Sequence, residues 1–156
     1  MQYGSKQALP FQSRGFSLTE VVVSVSLVGI VAAFAMPHFT RLSNGARASE
    51  VVALGSRLRH SAETAHVQYI MSGARLSAAV VEGKTVQLKN GYPEASSTGI
   101  GNAVFESQDF AMRASGDVVV FSKSDAASAS ECAVTYRAAS AAGEAAVIAN
   151  LNTRGC

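Results

Sequence analysis

The sequence has few of the side chains that nucleic-acid-binding proteins use. It contains no Trp, and aromatic residues make up only 7% of it. Residues 1–15 carry Lys6 and Arg14 but no acidic residue, and the rest of the chain has 11 basic and 11 acidic residues. A neutral chain with few aromatics is a poor nucleic-acid binder. Acidic neighbours favour an ordinary charged face over a DNA-binding one for Arg47, Arg57, Arg59 and Arg75.

Cysteine is scarce as well, since the chain has only Cys132 and Cys156, with no CxxC spacing. A zinc site needs more ligands than these and the scattered histidines provide. Two late cysteines in an exported chain most often form a structural disulfide, and here the bridge would tie down the C-terminal tail. The alternative is a pair of free buried thiols.

No arrangement of residues predicts catalysis or a cofactor. Ser/His/Asp and Cys/His constellations are missing. His60, Glu63 and His66 follow i, i+3, i+6 spacing, which does not place them on one narrow helix face, and HExxH is absent. We therefore predict polar surface or inter-subunit contacts for these three residues, and neither a metal site nor an enzyme.

One long apolar run dominates the N-terminal part of the chain. Residues 21–40 contain no formally charged side chain. A helix of this length is about long enough to cross a bilayer core. A secretory signal would place a short apolar stretch before an AxA-like site, but here a basic segment ends at Gly15 and the apolar run follows at once. An uncleaved membrane anchor is the alternative. Glu20 argues against it, because a carboxylate at the edge of the run costs a few kcal/mol and an anchor has no use for it.

Residues 15–37, GFSLTEVVVSVSLVGIVAAFAMP, resemble the prepilin N-terminus of type IV pilins and type II secretion pseudopilins. The resemblance implies that a prepilin peptidase cleaves between Gly15 and Phe16 and methylates the amine of Phe16. It also implies that Glu20 acts in assembly and that Pro37 kinks the helix. Residues 1–15 would then be a cytoplasmic leader that is removed, residues 16–40 a transmembrane and assembly helix, and residues 41–156 a periplasmic or extracellular globular domain.

Elementary chemistry explains the parts of this motif. Gly15 has no side chain, so a peptidase can approach the backbone closely. Cleavage creates a cationic amine on Phe16 at membrane depth, and this amine needs a carboxylate partner in low dielectric. Glu20 of the same or a neighbouring subunit can supply it, which would fix the axial stagger of subunits. Gly29 is either a weak point in the helix or a place of close helix packing.

The rest of the chain predicts an α+β fold, in which a long N-terminal helical spine packs on a C-terminal antiparallel sheet. A helical stripe recurs at three- to five-residue steps, and the helix ends near Ser72-Gly73. The residues of the stripe are Leu42, Ala46, Val51, Leu54, Leu58, Ala62, Ala65 and Tyr69.

The strands follow the helix. Residues 78–81 and 85–88 predict a hairpin closed by a turn at residues 90–93, and residues 102–112 a short helix or irregular segment. Residues 117–122, 132–138 and 145–151 predict further strands, which together give one sheet of about four strands with one face on the helix.

A second resemblance spans most of the mature chain. ARASEVVALGSRL, NGYPEASSTGI and CAVTYRAAS, with the terminal Cys156, resemble the mannose-sensitive haemagglutinin type of pilin. This favours a pilus building block over a secretion pseudopilin, and we predict a major pilin that forms a homo-oligomeric helical filament for adhesion, motility or DNA uptake. Its partners would be the prepilin peptidase/methylase and the inner-membrane assembly machinery, and it would move from the inner membrane to the cell surface. The alternatives are a minor pilin or pseudopilin, and a membrane-tethered sensor or enzyme.

Overall fold

The computed structural model describes residues 15–104 and 109–156. The chain divides into two compact units, Met1–Thr40 and Arg41–Cys156. One helix, α1 (Leu18–Met71), contributes to both. It ends where the sequence predicted, because Gly73 has a positive φ of 74° and the N–H of Ala74 bonds to the carbonyl of Tyr69.

A three-stranded antiparallel sheet follows the helix. Its strands are β1 (Ala78–Val81), β2 (Lys84–Lys89) and β3 (Tyr92–Pro93), in that order. Glu82-Gly83 and Asn90-Gly91 connect them, and all four of these residues have positive φ. Two consecutive positive φ angles match the right-handed twist of a tight hairpin. The predicted hairpin is confirmed, while Tyr92–Pro93 forms a short strand and not part of the turn.

A short π-helical turn, Ser97–Gly101, precedes a second sheet of four antiparallel strands. These are β4 (Phe110–Ser115), β5 (Val118–Lys123), β6 (Ala133–Arg137) and β7 (Val147–Asn152). The α+β prediction is confirmed, but the single sheet was wrong, since the structure has two.

The prediction of a helix or irregular segment over residues 102–112 was also wrong where β4 begins, and residues 105–108 of it lie outside the described residues. β4 is held by six residue pairs with β5, from Phe110↔Lys123 to Ser115↔Val118. This pairing overrides the helix-forming Ala, Met and Arg residues of the segment.

The core of the Arg41–Cys156 unit lies between the second half of α1 and the sheets. The predicted stripe is buried at Val51, Leu54, Leu58, Ala62 and Ala65, which pack with Val119, Phe121, Val134 and Tyr136. The prediction was wrong for Leu42 and Ala46, which are exposed. Among the described residues of the unit, the core reaches only as far as Ala48, and Leu42 and Ala46 before it have no core contact.

Candidate functional site

The bond between Gly15 and Phe16 lies in a non-helical stretch directly before α1. Apart from its two chain neighbours, no described residue has a heavy atom within 4 Å of the position that a Cβ on Gly15 would take. Phe16 is 79% exposed. The backbone on both sides of the predicted scissile bond is therefore open to a peptidase.

Glu20 occupies the first turn of the helix, where its backbone is capped. Its N–H donates to Oγ of Ser17 at 3.2 Å, which makes Ser17 the helix N-cap and Glu20 the third helical residue. The spacing Ser-x-x-Glu is that of a capping box, which the sequence analysis did not identify. An acidic side chain is also favoured at this end of the helix by the macrodipole. Among the described residues, Glu20 has no ion-pair partner.

The first part of α1 presents an almost continuous apolar surface. All residues from 15 to 34 are exposed. Ser24 and Ser26 do not interrupt this surface, because their hydroxyls donate to the carbonyls of Glu20 at 2.7 Å and Val22 at 2.8 Å. Within the described part of the chain, α1 is the one helix that is long and apolar enough to cross a membrane, judged by length and composition.

Two residues of this helix were expected to interrupt its regularity. Pro37 lies inside α1, which continues on both sides of it. Proline lacks the N–H of the helical hydrogen bond, so a bend at this residue stays a prediction. Outside the backbone of the helix itself, no heavy atom of the described residues lies within 4 Å of a Cβ added to Gly29. This leaves both interpretations of Gly29 open, because close packing there would require a second copy of the helix.

The predicted disulfide is confirmed. Cys132 and Cys156 are bonded, with Cα atoms 4.8 Å apart, and both are buried. The alternative of two free thiols is therefore wrong. Gly155 reinforces the bridge, since its N–H donates to the carbonyl of Glu131 at 3.0 Å and its carbonyl accepts from Ser128 at 3.1 Å. A Cβ on Gly155 would lie 2.7 Å from the carbonyl oxygen of Ser128, so only glycine fits here.

A buried lysine lies near this bridge, and sequence reasoning did not identify it. The Lys123 side chain is only 5% exposed, and its Nζ lies 2.6 Å from Glu50, 3.5 Å from Asp109 and 3.6 Å from Asp125. Burial alone would lower the pKa of Lys123. The hydrogen bond and charge of Glu50, with the charges of Asp125 and Asp109, outweigh burial and raise the pKa above its ordinary value.

Arg47 connects this lysine cluster to the disulfide. Its Nε lies 3.1 Å from a carboxylate oxygen of Asp125, and its Nη1 donates to the carbonyl of Cys156 at 3.5 Å. The hydrogen bond from Arg47 is the main cause that holds the pKa of Asp125 below its ordinary value. Helix α1, the end of β5 and the C-terminal tail are thus joined by charged side chains.

His60, Glu63 and His66 do not converge. His66 places Nδ1 2.9 Å from the carbonyl oxygen of Gly91 and stacks on the ring of Tyr92 at a centroid distance of 4.0 Å. His60 and Glu63 are exposed. In residues 15–104 and 109–156, no group of three or more His, Cys, Asp or Glu side chains is arranged to hold a metal ion.

A groove of about 310 Å³ lies beside α1. One wall is formed by Arg59, Ala62 and Glu63 of the helix, and the other by residues 145–148 at the start of β7. Tyr92 and Tyr136 complete the lining. Burial raises the pKa of Tyr136, whose hydroxyl donates to the carbonyl of Pro93 at 2.7 Å. Neither Arg59 nor Glu63 forms an ion pair with another described residue.

The comparisons with known proteins identify one family motif. Residues 11–36 match the family described as Prokaryotic N-terminal methylation motif. No curated protein and no solved structure matches the chain. The matched range contains Gly15, Phe16, Glu20 and most of the exposed apolar helix. The chain therefore carries an N-terminal methylation motif, which supports a type IV pilin-like or pseudopilin-like prepilin and a structural subunit.

Proposed function

We propose that this chain is the precursor of a major pilin, a non-enzymatic subunit that polymerises into a type IV pilus. The observation that carries the proposal is the methylation motif, which leads directly into an exposed apolar helix. Exposed apolar surface of this extent must be covered by lipid or by other apolar helices. A pilin uses both covers in turn, because it is held in the membrane first and packed in the filament core afterwards.

Processing would act at the accessible bond after Gly15. A prepilin peptidase cleaves there and methylates the new N-terminal amine of Phe16, which keeps its positive charge. Glu20 then lies four residues further on and offers a carboxylate to that amine, in the same or in a neighbouring subunit. Pairing between neighbours neutralises both charges in the apolar core and fixes the axial stagger. The Ser17 cap supports this role, because it holds the first turn of the helix in place.

The globular unit supports a pilus building block over a secretion pseudopilin. The C-terminal cysteine pair is part of the resemblance to mannose-sensitive haemagglutinin pilins, and the two residues are bonded as Cys132–Cys156. Pseudopilins of the main type commonly lack such a C-terminal pair. Adhesion, motility and DNA uptake would then be properties of the assembled filament.

Shearing of cells separates these possibilities. We expect the mature protein to be abundant in the sheared surface fraction, as filaments visible by electron microscopy. A minor subunit would be present there only in traces beside another pilin. A protein that stays in the inner membrane would contradict the proposal. An inner-membrane protein without a prepilin leader serves as the control for cell lysis.

A further inference from the structure

The outer edge of β1 is bonded to a glutamine side chain of α1. Nε2 of Gln68 donates to the carbonyl of Val80 at 2.7 Å, and Oε1 of Gln68 accepts from the N–H of Val80 at 3.1 Å. β1 is the first strand in the order β1-β2-β3, so within this sheet it has a strand neighbour on one side only. The Gln68 amide therefore binds both backbone groups of one residue on the open side of the strand.

This contact has the hydrogen-bond pattern of strand pairing. In an antiparallel sheet, two facing residues of a hydrogen-bonded pair exchange both of their N–H···O bonds. A glutamine amide carries a donor and an acceptor, so Gln68 offers Val80 the same two groups that a residue of an added strand would offer. Backbone groups alternate between the two sides of a strand, and Ala78 and Val80 are thus the residues of β1 that face away from β2. An added strand would have to displace Gln68 to bind Val80.

The composition of β1 favours pairing with further strands. Its four residues, Ala78–Val81, include no charged residue and no proline. All four pair with β2 in regular register, and the side chain of Val80 is 57% exposed. An open edge of this kind is a template for pairing with another chain, and apolar segments rich in β-branched residues pair most readily.

The other outer strands of the two described sheets carry protection of their own. β4 has the exposed Arg113, and β7 pairs with β6 through a register shift beside Thr135. β3 has only two residues, of which one is Pro93. Charged side chains, irregular pairing, proline and short length all make an edge a poor template. β1 has no charge, proline or register shift, and it is the strand that Gln68 covers.

We propose that Gln68 closes the edge of β1, so that separate copies of the chain do not join through this strand. This inference goes beyond the proposed function, because it concerns a contact that the globular unit prevents. It requires no filament.

Removal of the amide tests the closure in the full-length chain, solubilised in detergent that covers the apolar helix. Gln68→Ala should raise the hydrogen-exchange rate of the Val80 amide about tenfold, because its N–H loses its partner. At high protein concentration this variant should associate in sedimentation experiments, and the Val80 amide should become protected again as strands pair. The wild-type chain should stay unassociated, with Val80 exchange that does not depend on concentration.

Two further variants locate the effect. Gln87→Ala is the matched control, since Gln87 is an exposed glutamine of β2 whose side chain makes no hydrogen bond to another described residue. It should behave as the wild-type chain does. The double variant Gln68→Ala/Val80→Lys places a charge on the opened edge. It should suppress association while the amide exchange stays fast.

Slow exchange of the buried Val119 and Val134 amides shows that a variant is folded. Gln68→Met keeps the length of the side chain without its amide, and it decides the test if Gln68→Ala does not fold. A folded variant without the Gln68 amide that stays unassociated overturns the proposal. Association that survives Val80→Lys, or that Gln87→Ala shows equally, also overturns it. None of these measurements requires filaments, so their failure leaves the proposed function standing.

Discussion

At the residue scale, Lys123 shows how a charge is kept in a small core. Lys123 is the last residue of β5. Buried residues alternate along this strand, and Lys123 follows Val119 and Phe121 in the buried set. Its ammonium group meets three carboxylates and lies 5.2 Å from the centre of the Phe110 ring. Buried charges persist in proteins when they are paired in this way.

The acid dependence of stability follows from the same cluster. The pKa of Asp125 in the folded chain lies below its ordinary value of 3.8. Its contribution to stability is therefore full above about pH 3.8 and is lost as the pH falls through the folded pKa. We expect Asp125→Asn to lower the urea midpoint at neutral pH, and the difference from wild type to shrink as the pH drops below about 3.8. Glu82→Gln, outside the cluster, is the control. A difference that is constant with pH would contradict this.

Lys123 acts at the other end of the pH scale. Its folded pKa lies above the ordinary value of 10.5, so its contribution is full below that pH and is lost as the pH rises through the folded pKa.

At the scale of elements, Gly55 determines how closely α1 approaches the four-stranded sheet. A Cβ there would lie 2.9 Å from Cδ1 of Leu151 and 3.6 Å from Cγ2 of Val134. The end of the half-exposed Leu151 can move slightly, so we expect Gly55→Ala to change the free energy of unfolding by less than about 1 kcal/mol. Gly55→Leu should cost about 2–3 kcal/mol through overpacking.

Gly45 provides the control for this comparison, because outside its own helix backbone no described residue has an atom within 4 Å of an added Cβ. Gly45→Ala should stabilise the helix by about 1 kcal/mol through propensity alone. Urea denaturation of the detergent-solubilised protein measures all three variants. A Gly55→Leu variant as stable as wild type would contradict the packing described for α1.

The disulfide stabilises a different element, the C-terminal tail. The bridge spans 24 residues of sequence, and its loss should lower the free energy of unfolding by about 3 kcal/mol in the chain-entropy model. The double variant Cys132→Ser/Cys156→Ser avoids a free thiol. We expect a lower urea midpoint and lower cellular abundance, with leader cleavage unchanged. Wild-type abundance and stability in the double variant would contradict this role.

The sequence predicted those structural features whose signals lie within one short segment of the chain. The stripe from Val51 to Ala65 and the Glu82-Gly83 hairpin follow from periodicity and turn residues. β4 does not, since its six residues acquire their strand conformation from pairing with β5. The ion cluster joins Arg47 and Glu50 of α1 to the distant Lys123 of β5, and no local pattern contains all three. The one available signal was the two-residue spacing of Val119, Phe121 and Lys123, which places Lys123 on the same face of β5 as the two apolar residues.

At the scale of the whole molecule, substitutions at Glu20 and Ser17 separate helix capping from the proposed role of Glu20 in assembly. Glu20→Gln keeps a side chain that suits a capping box but removes the charge. Ser17→Ala removes the cap and keeps the charge. We expect Glu20→Gln to lower the yield of sheared filaments while the membrane pool of cleaved subunit is retained, and Ser17→Ala to have a smaller effect. Undiminished filaments in Glu20→Gln would refute charge pairing with the Phe16 amine.

Processing of the precursor is the step on which the proposed assembly into a filament depends. Intact-mass and N-terminal peptide analysis of the protein from sheared surface fractions tests it most directly. We predict a chain that has lost residues 1–15, begins at Phe16 and carries one added methyl group on its N-terminal amine. A surface protein that retains residues 1–15, or one that is cleaved elsewhere in the apolar run, would contradict the account.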